Sequence, residues 1–507
     1  MPDASRSLPS HPSLRYLQLE ARRRRAAGEF PALHDAQAAI AREYGQRSWA
    51  ALRQLISDPP PHESHALAQL RWVIARFRDA GSPGWAPPGD GELREHFDDA
   101  FRAALPAGEL VATIAGVAAD LREELTVVGQ LPLQAHVRVG GLEVFASAGA
   151  DPPHRLTGLQ AVPAPGRAAD ARVAAPPPAR TDGEVPAGLA GITDESFAEL
   201  GLAALALAGG APAGPGWVIA QGWADLDRAE ILGTGHRFPA TGATALVTAT
   251  AVLRLVAEGA LALDAPANDH LRTVRLADGT ISVRELLSHT AGVNSPPAAA
   301  MMTDSVPELA TLTGPVIGCD GPRGEVRPSN GGYAALGQLI ADVTGLPYTA
   351  AAARLVLDPL GMSGSSFPAR PADIGPGAVT GYSVTPAGAL APAAAMISAL
   401  PAVAGLWAPP ADLVRLGTGW ASLLPAALAD EALTPQAAAE QGQPRTGLGW
   451  IISPRGDIAL HGGAQAGATA AVLVRIRDRQ ARVIMTSTLT SLEPVHDRVL
   501  RAWGAPS

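Results

Sequence analysis

The chain has 507 residues, 39 basic side chains against 48 acidic ones for a formal net charge of −9, and is 47% hydrophobic and 17% charged. That balance excludes a disordered acidic chain, makes the protein as a whole a poor nucleic-acid binder, and predicts about three globular domains. No lysine occurs anywhere, so all 39 basic residues are arginine and no side-chain amine can serve as a base.

Residues 1–58 read as a small helical unit. Helical patterns run through "LRYLQLEARRRRAAGEF", "LHDAQAAIAREYG" and "SWAALRQLI", with Gly45 placed to stop one helix and Ser48 to cap the next. Part of this stretch resembles a helical segment that precedes varied domains in bacterial proteins, and it is faintly like a helix-turn-helix. The run Arg22 to Arg25 is read as a solvated helix face rather than a nucleic-acid contact. The prolines of "SDPPPHESH" then mark a linker.

Residues 65–165 place helical patterns first, in "HALAQLRWVIARF", "ELREHFDDAFRAAL" and "ELVATIAGVAADL", and strand patterns after them, in "LTVVGQL", "LQAHVRVG", "LEVFASAG" and "HRLTGLQAV". Helices followed by strands predict an α+β unit. The order, and the phrase "HRLTGLQAVP", resemble the cone-shaped NTF2-like fold. Such folds use an Asp or His in some isomerases, but His96, Asp98 and Asp99 fall in a helical pattern and are expected on a solvated face. Residues 166–190, rich in Ala, Pro and charge without periodicity, read as an interdomain linker.

The remaining unit, 191–507, carries six phrases in order: "VAEGALALDAP", "ISVRELLSHTAGV", "SNGGYAALGQLIADVTGLPY", "LDPLGMSGSSF", "AGLWAPPADLVRLG" and "LGWII" with "LHGGAQAGATA". Together they resemble the serine β-lactamase and penicillin-binding-protein superfamily, in its class C-like esterase and D-Ala-D-Ala peptidase branch. The resemblance implies an antiparallel sheet flanked by helices beside an all-helical subdomain, with a cleft between them. The whole chain is therefore expected to be a multidomain α+β protein.

In active members an S-x-x-K motif opens a helix, a Y-x-N or S-x-N motif sits on a loop, and K-T-G or H-x-G lies on a strand. The serine hydroxyl needs a neighbour to take its proton, and a lysine one helical turn away supplies it. Here the first motif falls on "GATA": Gly242 stands at the serine position and Ala245 at the lysine position. The second reads Pro328, Ser329, Asn330, so proline replaces the tyrosine while the amide remains. The third, His461, Gly462, Gly463, is intact. Arginine cannot replace the lysine because guanidinium stays protonated at working pH.

These losses predict a pseudoenzyme that binds a small acyl or peptide-like ligand, or a protein partner, through Gly242, Asn330, His461, Gly463 and Ala464. The resemblance places two oxyanion-hole N–H groups on Gly242 and Ala464, and Gly242 is expected to leave extra room beside them. An alternative is an esterase-like hydrolase using Thr241 or Thr244 with His461, although helix capping is the ordinary role for either threonine. A third reading makes the N-terminal units the working part of an interaction protein and the large domain its scaffold.

His289, in "LLSHTAG", is expected to cap and pack, and Cys319 to be buried and inert. No metal signature or cofactor motif occurs. A single cysteine cannot form an internal disulfide, residues 1–20 lack the apolar core of a signal peptide, and no run reaches the roughly 18 apolar residues of a membrane helix. The cytoplasm is the expected location.

Overall fold

A computed structural model describes residues 24–25, 30, 32–43, 49, 64–131, 134–149, 152–163, 175–212, 214, 216–296, 301–319, 321–384, 389–437 and 445–504. The chain divides into two compact units, Met1–Ser64 and His65–Ser507.

In the first unit, helix α1 (Leu33–Glu43) buries Ala36, Ile40 and Ala41, a spacing that keeps all three on one side. Asp35 accepts the Ala32 N–H at 3.2 Å near the helix start. Arg24 and Arg25 are helical. Gly45, Ser48 and Arg22 lie outside the described residues.

The second unit begins with helix α2 (His65–Phe77), whose buried Leu67, Leu70, Val73 and Phe77 follow the helical period. The stretch expected as one helix is two, α3 (Asp90–His96) and α4 (Asp99–Ala104), broken at Phe97. Phe97 is fully buried and bridges to Leu156, so its burial wins over helix continuity. Helix α5 (Ala107–Ala115) follows.

Four strands then form an antiparallel meander: β1 (Leu125–Leu131), β2 (Gln134–Val139), β3 (Leu142–Ala148) and β4 (Leu156–Pro163). Alternation decides the faces. Ala135, Val137, Val139, Val144 and Ala146 join the helices in one apolar core, while His136, Arg138, Glu143 and Phe145 point to the other side.

The solvated-face expectation for His96, Asp98 and Asp99 holds only for Asp99. Asp98 caps α4 by accepting the Phe101 N–H at 2.6 Å, and burial raises its pKa. His96 stacks on Trp72 with ring centroids 3.6 Å apart and is bonded to Gln69.

The large sheet has nine strands, all antiparallel. Its first member, β5 (Arg180–Asp182), lies inside the stretch expected as a linker, which therefore ends earlier than 190. After helix α6 (Ile192–Leu200) come β6 (Ala204–Gly210) and β7 (Trp217–Asp225). These strands take up the longest apolar run of the sequence, and β6 is buried along its whole length.

Helix α7 (Thr244–Ala257) crosses the interior, buried without a break from Thr244 to Leu253, and α8 (Asn330–Thr344) packs beside it. Helix α9 (Pro410–Gly419) lies on the sheet. The sheet closes with β8 (Arg445–Thr446), β9 (Ile451–Ile452), β10 (Ile458–Gln465), β11 (Ala468–Arg475) and β12 (Ala481–Thr486), giving the order β8-β9-β10-β11-β12-β6-β7-β5, with Glu230–Ile231 also pairing to β7. Helix α10 (Glu493–Ala502) covers the outer face together with α6. Among the described residues no helix is long and apolar enough to cross a membrane.

The outer face of the four-stranded meander meets the start of α10. The Glu143 carboxylate has no exposed surface and is held by Arg138 at 2.6 Å, by His136 at 3.3 Å and by the Ser491 hydroxyl. Arg138 also reaches Glu493 at 3.7 Å. Burial alone would raise the Glu143 pKa, but the bonds to His136, Arg138 and Ser491 outweigh it and hold the group down at about 2.

Candidate functional site

The short pair Phe238–Pro239 with Trp407–Ala408 sets the chain on course for α7. The Ala240 N–H donates to Leu406 O at 2.8 Å, and a single 3₁₀ turn, Thr241–Ala243, leads into the helix. Thr241 has φ +47°, a left-handed conformation that a β-branched residue adopts only when its surroundings impose it. Its hydroxyl is part of that imposition: it donates to Gly463 O on β10 at 2.8 Å.

This bond draws β10 onto the turn. A Cβ placed on Gly242 would sit 2.4 Å from Gly462 O and 3.2 Å from the Gly463 Cα; one placed on Gly463 would sit 2.9 Å from Gly242 N. The two backbones are in contact, and both positions need glycine. The expectation that Gly242 leaves extra room is therefore corrected: strand backbone fills the space a side chain would use.

Neither threonine caps the helix. Ala243 occupies the N-cap position without a side-chain bond, and the fully buried Thr244 hydroxyl accepts the Leu406 N–H at 3.3 Å. Both hydroxyls tie the turn to neighbouring chain. Ala245, at the expected lysine position, is 4% exposed and belongs to the main core.

On the facing wall, Pro328 and Asn330 are exposed while Ser329 is buried. The Ser329 hydroxyl caps α8 by accepting the Gly332 N–H at 3.0 Å, and the Asn330 N–H donates to the Ser295 hydroxyl at 2.9 Å. The Ser329 N–H donates to His289 Nδ1 at 3.1 Å, which gives the "SHTAG" histidine its place: it fixes the second motif. His289 has φ +59°. A crevice of about 150 Å³ beside it, bounded by Leu286, Val293, Arg327 and Gly332, is too tight in this conformation for a water.

His461 is 9% exposed and its Nδ1 lies 2.8 Å from Gly449 O. Tyr333 donates its hydroxyl to Leu287 O at 3.0 Å, and the Gly449 N–H donates to the same carbonyl at 3.1 Å. Three rings therefore gather: His289 and Tyr333 at 4.8 Å between centroids, Tyr333 and His461 at 6.2 Å, His289 and His461 at 6.4 Å. Burial lowers the His461 pKa. Burial, then the neighbouring His461, lowers that of His289 to about 3, and burial raises that of Tyr333. All three are neutral at pH 7.

Sequence reasoning overlooked Tyr333 and Gly449. The signal for Tyr333 was its place four residues after Ser329, one helical turn further along the same element. Ala464 is exposed at the far end of β10. Cys319 is half-buried rather than buried, with its sulfur 3.4 Å from Ile317 O. Among the described residues no group of three or more His, Cys, Asp or Glu could hold a metal ion.

The model of the beta-lactamase family matches residues 162–504, and the chain belongs to that family. Solved structures with the same fold include a penicillin-binding protein from Bacillus halodurans, 19% identical over 59% of this chain and 94% of its own, with a TM-score of 0.51. The D-amino acid amidase from Ochrobactrum anthropi SV3 is 21% identical over 62% of this chain and 98% of its own, TM-score 0.51. EstCE1, a hydrolase with promiscuous acyltransferase activity, is 20% identical over 62% and 97%, TM-score 0.51. No curated protein matches the sequence.

Proposed function

We propose that the large domain is a β-lactamase-like pseudoenzyme that holds an acyl or peptide-like group without cleaving it. The observation that carries this reading is the contact of Gly242 with Gly462 and Gly463, which leaves no volume for a nucleophilic side chain where the family places one. Two further features support it. Ala245 offers no base, and Pro328 offers no hydroxyl to share a proton transfer.

The hydrolase reading finds no comparable support. Thr241 is fully buried with its proton directed at Gly463 O, and Thr244 is fully buried against Leu406, so neither presents a hydroxyl to a substrate. His461 retains a neutral imidazole, which suits it to binding.

The test is a chromogenic β-lactam and a short-chain nitrophenyl ester, with fluorophosphonate labelling of the same protein. The expected result is hydrolysis at the buffer rate and no covalent label. Turnover well above that rate, with label mapped to residues 241–245, overturns the proposal.

A further inference from the structure

We propose that the α+β unit governs the candidate site: its sheet, docked through Glu143, holds in place the end of β10 that carries Ala464. This goes beyond the pseudoenzyme reading and stands or falls apart from it.

The contact starts from a carboxylate in an unusual place. Glu143 points away from the core of the meander, yet its side chain has no exposed surface. On its own sheet it meets Arg138 and His136; from the segment between β12 and α10 it meets the Ser491 hydroxyl, and Arg138 reaches on to Glu493. The Glu493 N–H donates to the Ser491 oxygen at 3.3 Å, which leaves the Ser491 proton for the carboxylate.

From Ser491 the chain leads back to β12 through Thr490, Thr488, Ser487 and Thr486, all of them buried. Hydrogen bonds hold this stretch. The Thr486 hydroxyl donates to Thr488 O at 2.7 Å, and the Thr488 hydroxyl accepts the Ala203 N–H at 3.0 Å. The Thr469 hydroxyl, on β11, lies 3.2 Å from Thr490 O and 3.3 Å from Thr488 O, and the Thr490 N–H donates back to it at 3.5 Å. Across the ladder Thr469 pairs with Ala464, the residue the resemblance makes an oxyanion donor. A continuous run of directional bonds therefore leads from Glu143, through Ser491 and Thr490, to Thr469 and the end of β10.

That directionality gives the contact its reach. Hydrogen bonds weaken steeply with misalignment, so a shift of Ser491 as the sheet undocks spoils the bonds of Thr490 and Thr469, whereas an apolar segment could slide and repack. Loss of those bonds leaves the hairpin from Ala464 to Thr469 free to open locally.

The experiment is hydrogen–deuterium exchange of the full chain, read by mass spectrometry. Glu143→Ala is expected to speed exchange in the peptide 464–470 about tenfold, while α7 and the strands β8 and β9 exchange as in the wild type. Unchanged exchange at 464–470, or an equal rise throughout the large domain, overturns the proposal. Ser491→Ala leaves the pairs of Glu143 within its own sheet intact, so it serves where Glu143→Ala unfolds the α+β unit; the same rise is expected, and its absence is equally fatal.

Thr469→Val cuts the last link. Adding Glu143→Ala to it should produce no further rise at 464–470, and a further rise of about tenfold overturns the proposal. Ester turnover or covalent labelling of the wild-type protein removes the pseudoenzyme reading and leaves this one untouched.

Discussion

The Cα of Gly242 rests against the carbonyl of Gly462, so close that even a methyl group at 242 would lie 2.4 Å from that oxygen. A serine side chain placed there would meet strand backbone, so on the proposed reading it is not expected to supply a nucleophile. Gly242→Ser is expected to lower stability by about 1–3 kcal/mol through overpacking, since the obstacle is backbone and cannot rotate away. Thermal melts and urea denaturation measure this. The triple substitution with Ala245→Lys and Pro328→Tyr should remain unlabelled by a fluorophosphonate.

Thr241 supplies the bond that holds β10 on the turn, and a buried threonine in a left-handed conformation tolerates little change. Thr241→Val keeps the shape and the strain but loses the hydroxyl, leaving Gly463 O without that donor. The expected cost is about 1–2 kcal/mol, read from urea midpoints at unchanged m-value.

His289 ties stability to pH. Its folded pKa of about 3 lies below the unfolded value near 6.5, so between those limits the unfolded chain binds more protons. Stability is full above about pH 6.5 and falls as the pH drops toward 3. His461, also lowered, adds to the same loss. Stability measured across pH 4–7 should show this slope, and His289→Asn should flatten it; an unchanged slope in that variant would show that the ring is charged in the folded state.

Glu143 adds a second, more acidic window. Its folded pKa of about 2 lies below the ordinary value of 4.5, so the stability it contributes is complete above pH 4.5 and is lost as the pH falls from there toward 2. At neutral pH, Glu143→Ala removes the acceptor shared by Arg138, His136 and Ser491. A cost of about 1–3 kcal/mol is expected, moderated because Arg138 is partly exposed and can rehydrate.

Much of this fold was legible in the residues. The helix over 65–77 and strands β2 and β3 follow from helical spacing and alternation, because each buries one face against a single core, whereas β1 leaves Val127 and Val128 exposed. The break at Phe97 was not legible, since local propensity carries no record that this ring is needed beside Leu156. β5 was missed for a similar reason. Three exposed residues at a sheet edge have no apolar pattern, and only their partner strand makes them a strand. At the site, motif alignment pointed to Gly242, Ala245 and Pro328, but no spacing rule reports that β10 lies against the turn. That contact joins residues 220 apart in sequence, and the absence of a side chain at Gly242 and Gly463 permits it.

The pairing of Arg180–Asp182 with Val218–Ala220 has a practical consequence for anyone dividing this protein into parts. A fragment starting at residue 191 would leave the hydrogen-bonding groups of that stretch of β7 uncovered, an open template for strands from other molecules. Such a piece should self-associate, whereas one starting near residue 175 keeps its own cover and should stay monodisperse.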